Sequence, residues 1–272
     1  MAGHPQSPEY ARVFDILNCG PRSRFTVSGK LVHNCGYQGG IAAFATFSLT
    51  YGLDLEEMAD TAWATLPPEM VAEAESFIDW LEDKGHRWPM SRRAVIVCEV
   101  FKRLWREAHP MTVQLWAEME LGFKRATNNP GQTYRYRGFA FRRDGMWLRI
   151  RLPSGRYLCY PSPQVDADGQ CSFMGVDQFT RKWTRVKTYG GKIVENATQS
   201  VARDFMFDAM PGIEAAGYEI VLRVHDEVPC YAPDTPEFNA EHLSGLLATN
   251  PPWAPDMPLA AAGFEGYRYK KD

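Results

Sequence analysis

The sequence predicts an α+β protein preceded by a short all-β segment. Three observations carry that expectation. Two strand-like runs lie before residue 34, apolar residues recur at helical spacing between 35 and 130, and alternating strands with one long helix follow from 131.

Within 1–34 the strand-like runs are 12–17 and 24–27. After a glycine cluster, Ile41, Phe44 and Phe47 repeat at helical spacing. Met70 to Lys84 reads as a helix with Val71, Ala74, Phe77, Ile78 and Leu81 on one side. Arg92 to Ala108 is the next helix, His109-Pro110 breaks it, and a third carries Val113, Trp116, Met119 and Phe123. Past Asn128-Asn129-Pro130-Gly131 the pattern alternates, with a hairpin turn at Asp144-Gly145. A loop rich in Asp, Pro and Gly is expected over 161–178. Gly190-Gly191 opens a long helix over 192–210, with Ile193, Ala197, Val201, Phe205 and Ala209 as its buried stripe. In a strand over 218–224, Ile220, Leu222 and Val224 face one way, into a core. A final helix is expected over 236–248, capped by Thr235.

The 272 residues are 45% hydrophobic, which suits a soluble globular protein, and no run approaches the roughly 20 apolar residues a membrane span needs. The start lacks a basic-then-apolar signal, so a cytoplasmic protein is expected. Six scattered cysteines, with no CxxC pair, argue against zinc and against a disulfide scaffold. The net charge of −3 hides an asymmetry. Arg135, Arg137, Arg142, Arg143, Arg149, Arg151 and Arg156 face only Asp144 within 131–160, interleaved with aromatic residues. That stripe suits a polyanion-binding face and equally suits the solvated outer faces of two strands.

His225-Asp226-Glu227 interrupts two apolar strands, so it falls at a hairpin bend with its carboxylates at the rim of a sheet. Adjacent acids repel unless a cation neutralises them, which makes a divalent metal their natural partner. Upstream, Glu195, Gln199 and Arg203 share the polar face of the long helix.

A helix of the form ENxTQxxARD followed by a strand ending in VHDE resembles the palm of family A DNA polymerases. Cys35-Gly36-Tyr37-Gln38-Gly39-Gly40 is similar to the nucleotide-binding helix of phage members, and LeuProSerGlyArg at 152–156 is a further landmark. The resemblance implies that Asp226 is a metal ligand, with His225 and Glu227 beside it and Glu227 supporting the metal. Gln199, Glu195, Arg203 and Arg156 would meet the primer and template, and Tyr37, Gln38, Gly39 and Gly40 the incoming dNTP. It also implies two Mg2+ ions. The family's first motif, which supplies the second metal-binding Asp, is not found, nor are the Arg and Lys that open the nucleotide-binding helix. An N-terminal half would have to complete the site.

Lys30-Leu31-Val32-His33-Asn34-Cys35 resembles the downstream splice junction of an intein. There the Asn34 carboxamide nitrogen would attack its own backbone carbonyl, releasing Cys35 as a succinimide forms. His33 would protonate the departing amine, and the Cys35 thiolate would first accept the upstream chain as a thioester. Asp15 falls at the position of an assisting carboxylate, whereas Ser23 stands where many inteins have a histidine.

The expected division is therefore a C-intein segment at 1–34, partial fingers at 35–130 and palm at 131–272. The expected partners are an N-terminal polymerase half carrying an N-intein, primer–template DNA and dNTPs, with no membrane, in the cytoplasm of a phage-infected bacterium. The other reading is a non-spliced or degenerate fragment that binds duplex DNA.

Overall fold

A computed structural model describes residues 37–268 except 178, 179 and 225, and three earlier strands. Those strands are β1 (Arg12–Asn18), β2 (Phe25–Val27) and β3 (Lys30–Val32). Helices α1 (Ile41–Tyr51), α2 (Leu55–Trp63), α3 (Pro68–Asp83), α4 (Arg92–Ala108) and α5 (Pro110–Asn128) follow. Next come strands β4 (Thr133–Tyr136), β5 (Phe139–Asp144), β6 (Trp147–Arg151), β7 (Tyr157–Pro161), β8 (Gln164–Val165), β9 (Cys171–Val176) and β10 (Trp183–Thr188). The chain closes with α6 (Gly190–Ala215), β11 (Glu219–Ile220), β12 (Cys230–Ala232), α7 (Ala240–Leu247) and β13 (Ala261–Gly266). The protein is a mixture of helices and antiparallel sheets.

The chain divides into two compact units. One is Ser23–Ile150 with Tyr157–Asn196, and the other is Met1–Arg22, Arg151–Arg156 and Ala197–Asp272. The units interleave along the sequence. Helix α6 starts in the first unit and ends in the second.

In the first unit α4 is the hub. Every residue from Ala94 to Val100 is buried, and α1, α2, α3 and α5 all pack on it. The run contains a single charge, Glu99, which pairs with Lys102 at 2.5 Å and Arg103 at 2.9 Å. Helix α5 then lies on the sheet ordered β4-β5-β6-β7. Gly122 makes that approach possible, since a Cβ there would sit 2.7 Å from the Phe141 ring. The expected loop at 161–178 is a correction: β9 pairs along its whole length with β10, and β8 completes a three-stranded sheet. Pro163, Asp166, Asp168 and Gly169 fall in the connections, and Gly175, inside β9, interrupts the apolar pattern that would have marked that strand.

In the second unit the sheet order is β11-β12-β1-β13, all antiparallel. Met206, Ile213, Tyr218, Val228, Cys230 and Leu243 form its core. Three expectations are corrected here. Helix α6 continues past Pro211 to Ala215, because a proline in the closing turns removes one hydrogen bond without ending the packing of Ile213. Helix α7 begins at Ala240, where Asn239 accepts from the His242 N–H at 2.8 Å, and not near Pro236. Phe238 instead packs edge-on against Tyr218, 5.0 Å between ring centres.

The third correction bears on the site. Only Glu219–Ile220 forms a strand, and Leu222 is 50% exposed instead of buried. Pro229 explains it. Val221 and Leu222 both donate to its carbonyl, at 3.1 and 3.4 Å, while its ring nitrogen has no hydrogen to return. The ladder stalls and resumes only at the Val224–Glu227 bridge.

Candidate functional site

Val224 and Glu227 exchange both backbone hydrogen bonds, at 3.1 and 2.8 Å, so the chain reverses between them. The reversal holds Asp226 exposed, whereas Glu227, 2% exposed, is turned into the protein. The two carboxylates therefore occupy different environments. His225 lies outside the described residues. Among the described residues no group of three or more His, Cys, Asp or Glu side chains is placed to hold a metal.

Close to this turn in sequence, Arg223 stacks on Phe207 at 4.3 Å, and Arg203, one helical turn before Phe207, stacks on the same ring at 4.5 Å. Arg203 lines a cleft of about 360 Å³ with Ser154, Arg156, Asp204, Phe207 and Asp208. Arg156 is committed within it. Its Nε donates to buried Asp204 at 2.6 Å and its fork reaches the Ser200 carbonyl at 3.0 Å, while the Ser154 hydroxyl donates to the other Asp204 oxygen. The LeuProSerGlyArg landmark is thus locked onto α6 through Asp204. Gln199 is exposed on the same helix. Phe207 and Arg223 were absent from the sequence-level site. An aromatic residue on a helix and an arginine three residues before Asp226 give no joint signal until the fold brings them together.

In the other unit the Tyr37–Gly40 motif meets the start of α6. Gln38 adopts φ 65°, uncommon for a residue with a Cβ, and its side-chain oxygen accepts from the Gly191 N–H at 2.9 Å. Glu120 accepts from the Gly190 N–H at 3.0 Å, so two side chains satisfy donors that a helix start leaves open. Both glycines are obligatory by space: a Cβ would lie 2.1 Å from the Trp116 oxygen at Gly190, and 2.3 Å from the Tyr37 oxygen at Gly191. Burial, with the Glu195 charge as a second cause, raises the Tyr37 pKa, so the phenol stays protonated. Glu195 itself bonds Lys192 at 2.9 Å. Gly39 and Gly40 lead into α1.

His33, Asn34 and Cys35 lie outside the described residues. Asp15 falls within β1, opposite Phe264 in the register with β13.

No described helix is long and apolar enough to cross a membrane. No protein-family model matches the chain, and no solved structure matches it. A curated protein does: a DNA polymerase of Bacillus phage SP02 is 32% identical over 177 residues, which cover 62% of this chain and 27% of that protein. The sequence is thus related to a phage DNA polymerase, over a span of about a quarter of that polymerase's length.

Proposed function

We propose that this chain is the C-terminal part of a family A DNA polymerase that becomes active when joined to an N-terminal half by trans-splicing at Asn34 and Cys35. The observation that carries the polymerase reading is the similarity to the phage enzyme together with the exposed Asp226 at a tight turn. In this reading α6 and the turn belong to the palm, and the Tyr37–Gly40 motif belongs to the fingers. Asp226 fits as one ligand of Mg2+, since its exposed carboxylate offers hard oxygen donors. Glu227, buried beside it, would shape the turn and the field around that carboxylate. Bound there, the metal supplies electrostatic stabilisation for phosphoryl transfer.

The chain's own residues do the positioning. The Val224–Glu227 bridge presents Asp226, and Asp204 and Arg156 tie the 152–156 loop to α6. Arg203, with Gln199 one turn before it, offers a primer strand a cation and an amide on one helix. The splicing part rests on the His33-Asn34-Cys35 pattern directly before the polymerase-like motif. The test is to mix the chain with an upstream polymerase half ending in an N-intein. A ligated product lacking both intein pieces, active in primer extension where the chain alone is not, is the expected result. Extension by the isolated chain would contradict the half-site argument.

The Arg203–Phe207–Arg223 stack favours a second reading, a non-spliced module gripping duplex DNA. Under it, duplex affinity of the unligated chain would fall steeply with salt, and loss of either arginine would flatten that slope.

A further inference from the structure

We propose that the exposed face of the β8–β9–β10 sheet binds a single strand of nucleic acid. Alternation along β10 sends Trp183, Arg185 and Lys187 to one face and turns Thr188, fully buried, to the other. Antiparallel register extends that face across β9, where Val176 stands opposite Trp183 and Ser172 opposite Lys187. Trp183 is 61% exposed and Val176 56% exposed, so an indole and its apolar neighbour lie open to solvent.

The same face continues into a cleft of about 740 Å³ whose lining includes Arg143, Arg185 and Lys187. Two of these cations are fixed in place by neutral acceptors, with no ion pair to a carboxylate among the described residues. Arg143 donates to the carbonyls of Thr127 and Gly145, at 2.8 and 3.1 Å. Arg185 donates to the Ser162 carbonyl at 3.1 Å and the Ser172 hydroxyl at 3.3 Å. Asp166 is the one carboxylate among the described lining residues, and its Oδ1 accepts from the backbone of Asp168 and Gln170.

An open ring for stacking beside preorganised cations is the combination that holds an unpaired strand. The ring needs a base face, which a duplex keeps covered, and the cations follow the phosphates. Residues 183 and 185 are about 7 Å apart along the strand, so one base and the next phosphate can be held together. Neither ligation nor the carboxylate turn is needed for this face to bind a strand.

The test uses the 272-residue chain and a fluorescent oligo(dT) 12-mer, read by anisotropy across a salt series. Trp183→Ala should weaken binding on the order of 5- to 100-fold, the range of one lost stacked base, and Trp183→Phe should recover most of it. Lys187→Ala should weaken binding and reduce the log–log salt slope by about 0.7. Affinity for a duplex of the same length should change less than about twofold in either variant. Unchanged oligo(dT) affinity in Trp183→Ala, or an equal loss on duplex, would overturn the proposal. So would displacement of the oligonucleotide by inorganic triphosphate at equal concentration, which would assign the cleft to free phosphate. Trp183 is exposed, so thermal melting should be unchanged in its variants and an affinity loss reports binding.

Discussion

Single residues in this chain are defined by what surrounds them more than by their type. Tyr160 is buried, and its hydroxyl accepts from Asn196 at 3.1 Å. Burial raises its pKa from 10.0 to about 12, against the opposing pull of that hydrogen bond. In the unfolded chain the phenol ionises near 10, so between pH 10 and 12 the folded state holds the extra proton. Stability from this group is complete below pH 10 and is lost as pH rises toward 12, by about 1.4 kcal/mol per unit within the window. Urea midpoints at pH 9, 10 and 11 should show the wild type losing ground to Tyr160→Phe as pH rises. A constant difference would mean the phenol is not shielded. Glu99 makes a second case. It is 1% exposed and holds Lys102, which burial pushes to a lowered pKa. Glu99→Ala should cost about 3 kcal/mol by leaving that ammonium inside without its partner, whereas Asp60, exposed and paired with Arg93, should be near neutral on removal.

Elements were legible where one physical rule dominated. Helix α4 runs over the residues its apolar spacing marks, and the hairpin expected at Asp144-Gly145 does join β5 to β6, one residue later, through Gly145-Met146 with Gly145 at φ 57°. They were illegible where a distant partner decided. Nothing local ends the strand after Ile220; the missing donor of Pro229, on the returning chain, does. Nothing local says that Gln38 and Glu120 close the start of α6, since they lie 153 and 70 residues away. That start yields a sharp expectation. Gly190→Ala and Gly191→Ala should each destabilise by roughly 2–4 kcal/mol, because the new Cβ meets backbone oxygen that cannot rotate away. Gly212→Ala, in the same helix with open space around it, should be neutral or stabilising by up to about 1 kcal/mol. Equal melting shifts for all three would mean that the start of α6 is not closely packed.

At the scale of the molecule, residue patterns indicated a mixed fold with a carboxylate turn, and the turn is present with one exposed and one buried acid. The second arginine on Phe207 and the cation-lined cleft required the folded chain, because their members come from separate elements. Splicing is the whole-molecule expectation with the clearest chemistry. Asn34→Ala removes the carboxamide that cleaves the downstream bond, so a branched intermediate or upstream cleavage products should accumulate, visible by intact mass. Cys35→Ala should prevent the branch from forming at all. Ligated product from the Asn34→Ala chain would refute the intein reading while leaving the polymerase reading standing.

The polymerase reading itself turns on Asp226. The decisive measurement is single-turnover nucleotide addition by the ligated protein and its Asp226→Ala variant, with primer–template affinity followed in parallel. Exposed at the chain reversal, Asp226 can be truncated without opening the core, so ligation yield and DNA affinity should hold. The rate of addition should fall by several orders of magnitude, since a metal contact contributes several kcal/mol and each 1.36 kcal/mol is about tenfold. Near-normal addition by the variant would make the turn a solvated hairpin end and contradict the account.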